Sequence, residues 1–219
     1  LTVDIVKRLF GFDQDQQVAF PIISLTGLVS ISTILGYMSL STKIGALANG
    51  LLFTIAGIFV IVEHKRLGDL LFNYFELIRN ANKYILFIFI IAFLAVLVQS
   101  TERPRVYDTG LYHAQAIKWL EEYKVTPGLG NLHGRLAFNS VWFLPTALFS
   151  LSFLKLQSFH VLNGFFLLMA IIFALNELNR VFKGNYRSST VVGLAVLAFG
   201  VPLFWTRLSS PDTDMPVTY

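Results

Sequence analysis

The sequence predicts an all-α, multi-pass transmembrane helical protein, with about five spans and interfacial helices in its first long outward loop. Three observations lead there. Hydrophobic residues make up 55% of the chain and charged residues 14%, where a soluble domain carries about 25% charged. Charge is absent from six runs of 18 to 25 residues, and roughly 20 apolar residues suffice for a helix to cross a bilayer. No alternation of period two runs across those segments, which argues against a β-barrel.

The same composition removes other classes. A mean hydropathy of +0.64 excludes a disordered tail and most soluble enzymes. The absence of cysteine excludes a disulfide-stapled module and Cys-based zinc or thiol chemistry. A net charge of +4 suits nucleic-acid binding in principle. Here the cations are scattered between apolar blocks without a basic face, so they read as topology signals. No nucleic-acid partner is expected.

The runs are Val18–Thr42, Ile44–Val62, Tyr84–Thr101, Leu136–Leu154, Leu156–Asn176 and Ser188–Thr206. Two loops between them are basic. Glu63–Lys83 carries Lys65, Arg66, Arg79 and Lys83, and Glu177–Arg187 carries Arg180, Lys183 and Arg187. The positive-inside rule places both in the cytoplasm. Parity then requires one of the three runs between them not to cross. Leu136–Leu154 contains Asn139, Ser140 and Pro145, and only Lys155 separates it from the next run. It is therefore read as an interfacial helix, although short tilted helices would also permit six spans. Residues 1–83 form a two-span hairpin with its basic loop. Residues 84–219 form a second module, whose outward parts are the loop 102–135, the interfacial helix 136–154 and the acidic segment 207–219. The chain starts at Leu1 and stops just after a charged loop, so it is expected to be the front part of a longer protein.

The spans hold no strongly ionisable residue except His160, near one end. Ion-coupled transporters keep buried acids or bases in their spans, so chemistry is expected in the loops. In the outward loop, Arg103-Pro104-Arg105 is irregular, and Asp108 precedes a helix over about Thr109–Tyr123. Tyr112, Ala116, Trp119 and Tyr123 make one apolar aromatic stripe suited to a membrane interface, with His113, Lys118, Glu121 and Glu122 off it. The turn-rich stretch Thr126–Arg135 follows. Its Asn131, His133 and Arg135 are candidate phosphate contacts, since glycines permit close backbone approach and Arg offers a planar fork of donors. Asp108 has a competing reading as an N-cap. His113 and His133 also read as ordinary interface residues, His64 as a solvated one, and His160 as a satisfied helix-end histidine. The tail Thr206–Asp214 brings Arg207, Asp212 and Asp214 to the same face as Asp108. Such a cluster can position a base, and Asp212 and Asp214 are the candidate ligands of a divalent cation.

The order of span, loop with Tyr107-Asp108, amphipathic helix, Gly/Pro loop, aromatic segment and acidic second loop resembles the N-terminal module of GT-C fold glycosyltransferases. These include the protein O-mannosyltransferases and the aminoarabinose lipid A transferases. Phe138–Phe149 looks like that family's aromatic juxtamembrane helix, and Asn185–Asp212 like its next span and second outward acid. Tyr107–Asn139 is similar to a block of bacterial multi-pass membrane proteins. The likeness covers about Tyr84–Tyr219, and the chain has no Lys-Pro-Pro-Leu-like block. The resemblance implies an enzyme of the inner (plasma) membrane that transfers a sugar from a polyprenyl-phosphate donor at the outer face. Asp108 would be the base. His113, Asn131, His133, Arg135 and Arg207 would bind substrate, and membrane lipid would be the other partner. The competing classes are a non-enzymatic subunit for lipid or polysaccharide export or flipping, and a structural membrane protein.

Overall fold

A computed structural model describes residues 20–138, 140–155 and 161–214. Asn139 and His160 lie outside the described residues. The described residues form helices joined by turns and irregular stretches, without a strand among them. Helices α1 (Phe20–Ser39), α2 (Ala46–Val62), α3 (His64–Arg79) and α4 (Lys83–Ser100) come first. Then come α5 (Ala114–Glu122), α6 (Leu129–Leu132), α7 (Phe143–Phe149), α8 (Val161–Phe182), α9 (Ser188–Ala195) and α10 (Val201–Phe204). A π turn, Val196–Gly200, joins α9 to α10, so that Ser188–Arg207 is one interrupted helix. Four helices are long and apolar enough to cross a membrane: α1, α4, α8 and Ser188–Arg207. The bent pair α2–α3 is a fifth if counted as one span.

Local chemistry explains these elements. α1 carries Thr26, Ser30, Ser32 and Thr33 inside an apolar helix. Each hydroxyl donates to the carbonyl four residues back, so none needs water. Asn82 caps α4 by accepting from the Tyr84 N–H at 2.9 Å. The π turn comes just before Pro202. There the Val201 N–H reaches back to the Val196 carbonyl, loosening the ladder where proline would otherwise clash with it.

Two expectations need correction. Glu63–Lys83 is not a loop, because α3 fills it, turned 87° from α2. Its apolar residues recur at helical spacing between the charges that suggested a loop. Leu136–Leu154 is not one helix. A 3₁₀ turn at Gly134–Ala137 leads through an irregular stretch to α7, and a further 3₁₀ turn covers Ser152–Leu154. Leu151 and Lys155 take left-handed conformations, with φ 49° and 60°, that end the helix. α7 rises only about 10 Å at 1.5 Å per residue, too short to cross.

Contacts between elements show which helix ends lie together. Ser100, at the end of α4, lies against Gly164, at the start of α8. Asn163 donates to carbonyls just after Arg207, and the Val125 N–H donates to the Ser39 carbonyl at the end of α1. The segment between α4 and α8 thus leaves and returns at one end, which also holds the ends of α1 and of Ser188–Arg207. The core has two parts. Leu35, Ile44, Ile117, Phe143 and Leu148 join α1, α5 and α7. Val96, Leu167, Ile171, Phe204 and Leu208 join α4, α8 and the last helix.

Close helix approach rests on small residues, as in membrane bundles. A Cβ on Gly164 would stand 2.5 Å from Ser100 Oγ, and one on Gly193 2.9 Å from Glu177 Cβ. Gly164→Ala should cost about 1–3 kcal/mol through overpacking. Ser100→Ala, which removes a hydroxyl without a partner, should recover most of that loss. Thermal unfolding of the single and double variants in detergent measures both.

Candidate functional site

The site is built where the loop 102–138 meets the tail after Arg207. The backbone of Arg103–Val106 is irregular, and two serines of the tail hold it in place. Ser209 Oγ donates to the Arg103 carbonyl at 3.1 Å, and the Val106 N–H donates to Ser210 Oγ at 3.3 Å. Helix begins at Tyr107, so Asp108 sits in its first turn with φ −64° and ψ −21°. Its side chain makes no cap bond. It pairs instead with Arg135 Nη1 at 2.6 Å.

Thr109–His113 forms a π turn, in which the Ala114 N–H reaches back to the Thr109 carbonyl. Such bulges often mark functional sites. The extra residue rotates the helix, and the expected stripe shifts with it. The buried line runs Thr109, His113, Ile117, while Tyr123 is exposed. His113 therefore faces inward rather than lying off the packed face. Its ring lies 5.3 Å from that of Phe143 and 4.3 Å from that of Tyr112. Both of its ring nitrogens and Thr109 Oγ1 are buried without a hydrogen-bond partner. Glu121 is also turned inward, onto Ser150 Oγ of α7. Burial pushes its carboxyl up, against that hydrogen bond.

Arg207 Nη1 meets Asp212 Oδ2 at 2.6 Å and Asp214 Oδ2 at 2.8 Å. Asp212 is buried, so losing Arg207 would strand a charge at a cost of about 3–5 kcal/mol. The loop and tail acids converge, since Asp108, Asp212 and Asp214 all act electrostatically on both Tyr112 and His113. Arg135 stands over the Tyr112 ring at 5.9 Å. Asn131 and His133 are not drawn in. Both are exposed, and neither side chain bonds another site residue among those described. The two candidate metal ligands are taken up by Arg207. Among the described residues no group of three or more His, Asp or Glu is arranged for a metal ion.

A residue outside the sequence-based set organises the tail. Asn163, fully buried at the start of α8, donates to the Ser210 carbonyl at 2.7 Å and the Asp212 carbonyl at 3.2 Å. It accepts from Trp142 Nε1 at 2.9 Å. Its signal in the sequence is an amide inside an apolar run. Beside it opens a groove of about 900 Å³. Leu25, Leu28 and Val29 of α1 and Leu203 of α10 form apolar walls, and Arg207 and Asp214 stand among its polar lining. A smaller cavity of about 300 Å³ lies under the Gly/Pro loop, and Phe138 and Phe143 line both.

A family model matches residues 4–219, nearly the whole chain. The chain belongs to the family described as Domain of unknown function (DUF8201). No curated protein matches this DUF8201 chain, and no solved structure does.

Burial pushes the His113 imidazole below its ordinary 6.5, against the three carboxylates, which favour its charged form. A base with a depressed pKa binds fewer protons folded than unfolded. Its stability is fully present above 6.5 and declines as pH falls toward the lower folded value. His113→Leu should therefore flatten the fall in unfolding midpoint between about pH 7 and pH 5. A slope equal to that of the unsubstituted protein would contradict the assignment.

Proposed function

We propose that this protein is an integral membrane glycosyltransferase of the GT-C type, using a polyprenyl-phosphate sugar at the outer face of the inner membrane. One observation carries the reading. A groove of about 900 Å³ has apolar walls from two helices of spanning length and an arginine–carboxylate cluster in its lining. A lipid-linked donor has that division, with an apolar tail and an anionic head. Tyr112 lines the groove, and Asp108 lies one turn before it.

The sugar-transfer step assigns each group a task. Asp108 accepts the proton of an acceptor hydroxyl as its oxygen bonds the anomeric carbon. The bond from that carbon to the phosphate oxygen breaks, and polyprenyl phosphate leaves with the electron pair. Arg207 and Arg135 stabilise the leaving charge. Asp108, Asp212 and Asp214 outnumber those two arginines by one, so the cluster does not draw an anion by net charge. The donor phosphate must instead exchange partners. By taking Arg135 from Asp108, it frees the carboxylate it needs as base. No step passes through a metal, because the acids that could bind one already serve Arg207.

The ion pairing also supports a second reading, a lipid-binding export protein in which every site acid is structural. Sugar transfer from a radiolabelled polyprenyl-phosphate donor by reconstituted protein separates the two. Asp108→Asn should lower transfer by about 10²–10⁴-fold with membrane insertion unchanged. An active Asp108→Asn variant overturns the base assignment. Donor binding without transfer by the unsubstituted protein favours the export reading.

A further inference from the structure

We infer that α3 lies flat in the lipid–water interface, with its apolar face in the headgroup and acyl boundary of the bilayer that α2 and α4 cross. This rests on the membrane placement proposed above but not on glycosyl transfer. At 100° per residue, Leu67, Leu70, Leu71, Tyr74, Phe75 and Ile78 fall on one arc. Lys65, Asp69, Asn73 and Glu76 fall on the opposite one. The described residues cover only one flank of the apolar arc. Leu67, Leu70 and Tyr74 are half-buried, and the Tyr74 ring meets Phe20 edge-on at 5.4 Å. Leu71, Phe75 and Ile78 remain 56–60% exposed, an apolar strip along that arc.

Lipid is the occupant that fits. α3 begins two residues after α2 ends at Val62, and turns 87°. α4 starts at Lys83, four residues after α3 ends. A helix bracketed by two apolar helices lies at the level where both leave the hydrocarbon. The exposed apolar surface of α2, up to Ile61 and Val62, runs directly into that of α3. Lys83 stands over the Tyr84 ring at 5.3 Å, an aromatic and cationic pairing suited to that depth. Lys65, Arg66 and Arg79 add cations at the ends of the helix, as interfacial helices do beside lipid phosphates.

The chain has no native cysteine, so single cysteines carry a fluorophore to chosen positions. Leu71→Cys, Phe75→Cys, Ile78→Cys, Asp69→Cys and Ile91→Cys would be labelled with an environment-sensitive dye. The full chain would be reconstituted in phosphatidylcholine–phosphatidylglycerol vesicles bearing quenchers at shallow or deep positions. Dyes at 71, 75 and 78 should all be blue-shifted and quenched severalfold more strongly by the shallow lipid. The dye at 69 should report water. The dye at 91, in the middle of α4, should respond to the deep quencher. Depth changing steadily from 71 to 78 would overturn the inference in favour of a re-entrant or continuing span. Absence of lipid quenching along α3, with 91 deep, would overturn it in favour of a protein partner. Failure at 91 would instead sink the spanning reading itself.

Discussion

An amide buried at the end of an apolar helix must find its partners inside the protein, and Asn163 finds three. Losing its side chain would leave the Ser210 and Asp212 carbonyls and the Trp142 N–H unsatisfied, at about 1–3 kcal/mol for each such group. The tail after Arg207 is a short turn that packs only Leu208 into the core and buries Pro211. Asn163 fixes it to α8, and through Trp142 it fixes α8 to the segment leading into α7. The buried Asp212 carboxylate is held where Arg207 can reach it, and Ser209 and Ser210 are held where they catch the loop before Asp108. Distant parts of the sequence meet at the site because one polar side chain has nowhere else to bond.

That anchoring gives the charged cluster an asymmetry. The Arg207 pairs are braced by a buried carboxylate and by backbone bonds to the tail. The Asp108–Arg135 pair joins two half-exposed side chains from the loop and contributes about 0–1 kcal/mol. The first pair is a fixture and the second can open. Arg135 is also carried on a single 3₁₀ turn between exposed segments, not on a long helix. A ligand that offers its own anion therefore exchanges Arg135 at little cost, while exchange of Arg207 would expose a buried acid. The looser arginine is the one that covers Asp108.

The long apolar helices were legible because a folded soluble domain rarely keeps charge out of 18 or more consecutive residues. Leu136–Leu154 was set apart from the other runs by loop charge and parity, with Pro145 and Ser140 as local support, and its one α-helix is the short α7. α3 was not legible, because the four cations of Glu63–Lys83 drew the reading toward a loop while its apolar residues kept helical spacing. The inward turn of His113 was hidden by a different feature. A π turn adds a residue, and nothing in Thr109–His113 announces one, so the ideal period put Tyr112 and Tyr123 on the packed face. The acids were found as a group. Their partners were not, since which arginine takes which carboxylate depends on the tail held by Asn163. Asn131 and His133 looked equivalent to Arg135 by spacing, but only Arg135 reaches across to Asp108.

The groove ties α1 to the charged cluster. α1 supplies one wall, through Leu25, Leu28 and Val29, and Ser188–Arg207 supplies another. α1 can do so because its hydroxyls turn back onto their own helix and leave an apolar face. It is set in place at its far end by packing of Leu35 with Phe143 and Leu148, and by the Val125 N–H on the Ser39 carbonyl. Without α1 the groove would open to the side and lose the wall made by Leu25, Leu28 and Val29. The arginine and acids would then stand on an open surface beside a shallower apolar wall. α1 is thus part of what gives the site its division into apolar body and charged cluster.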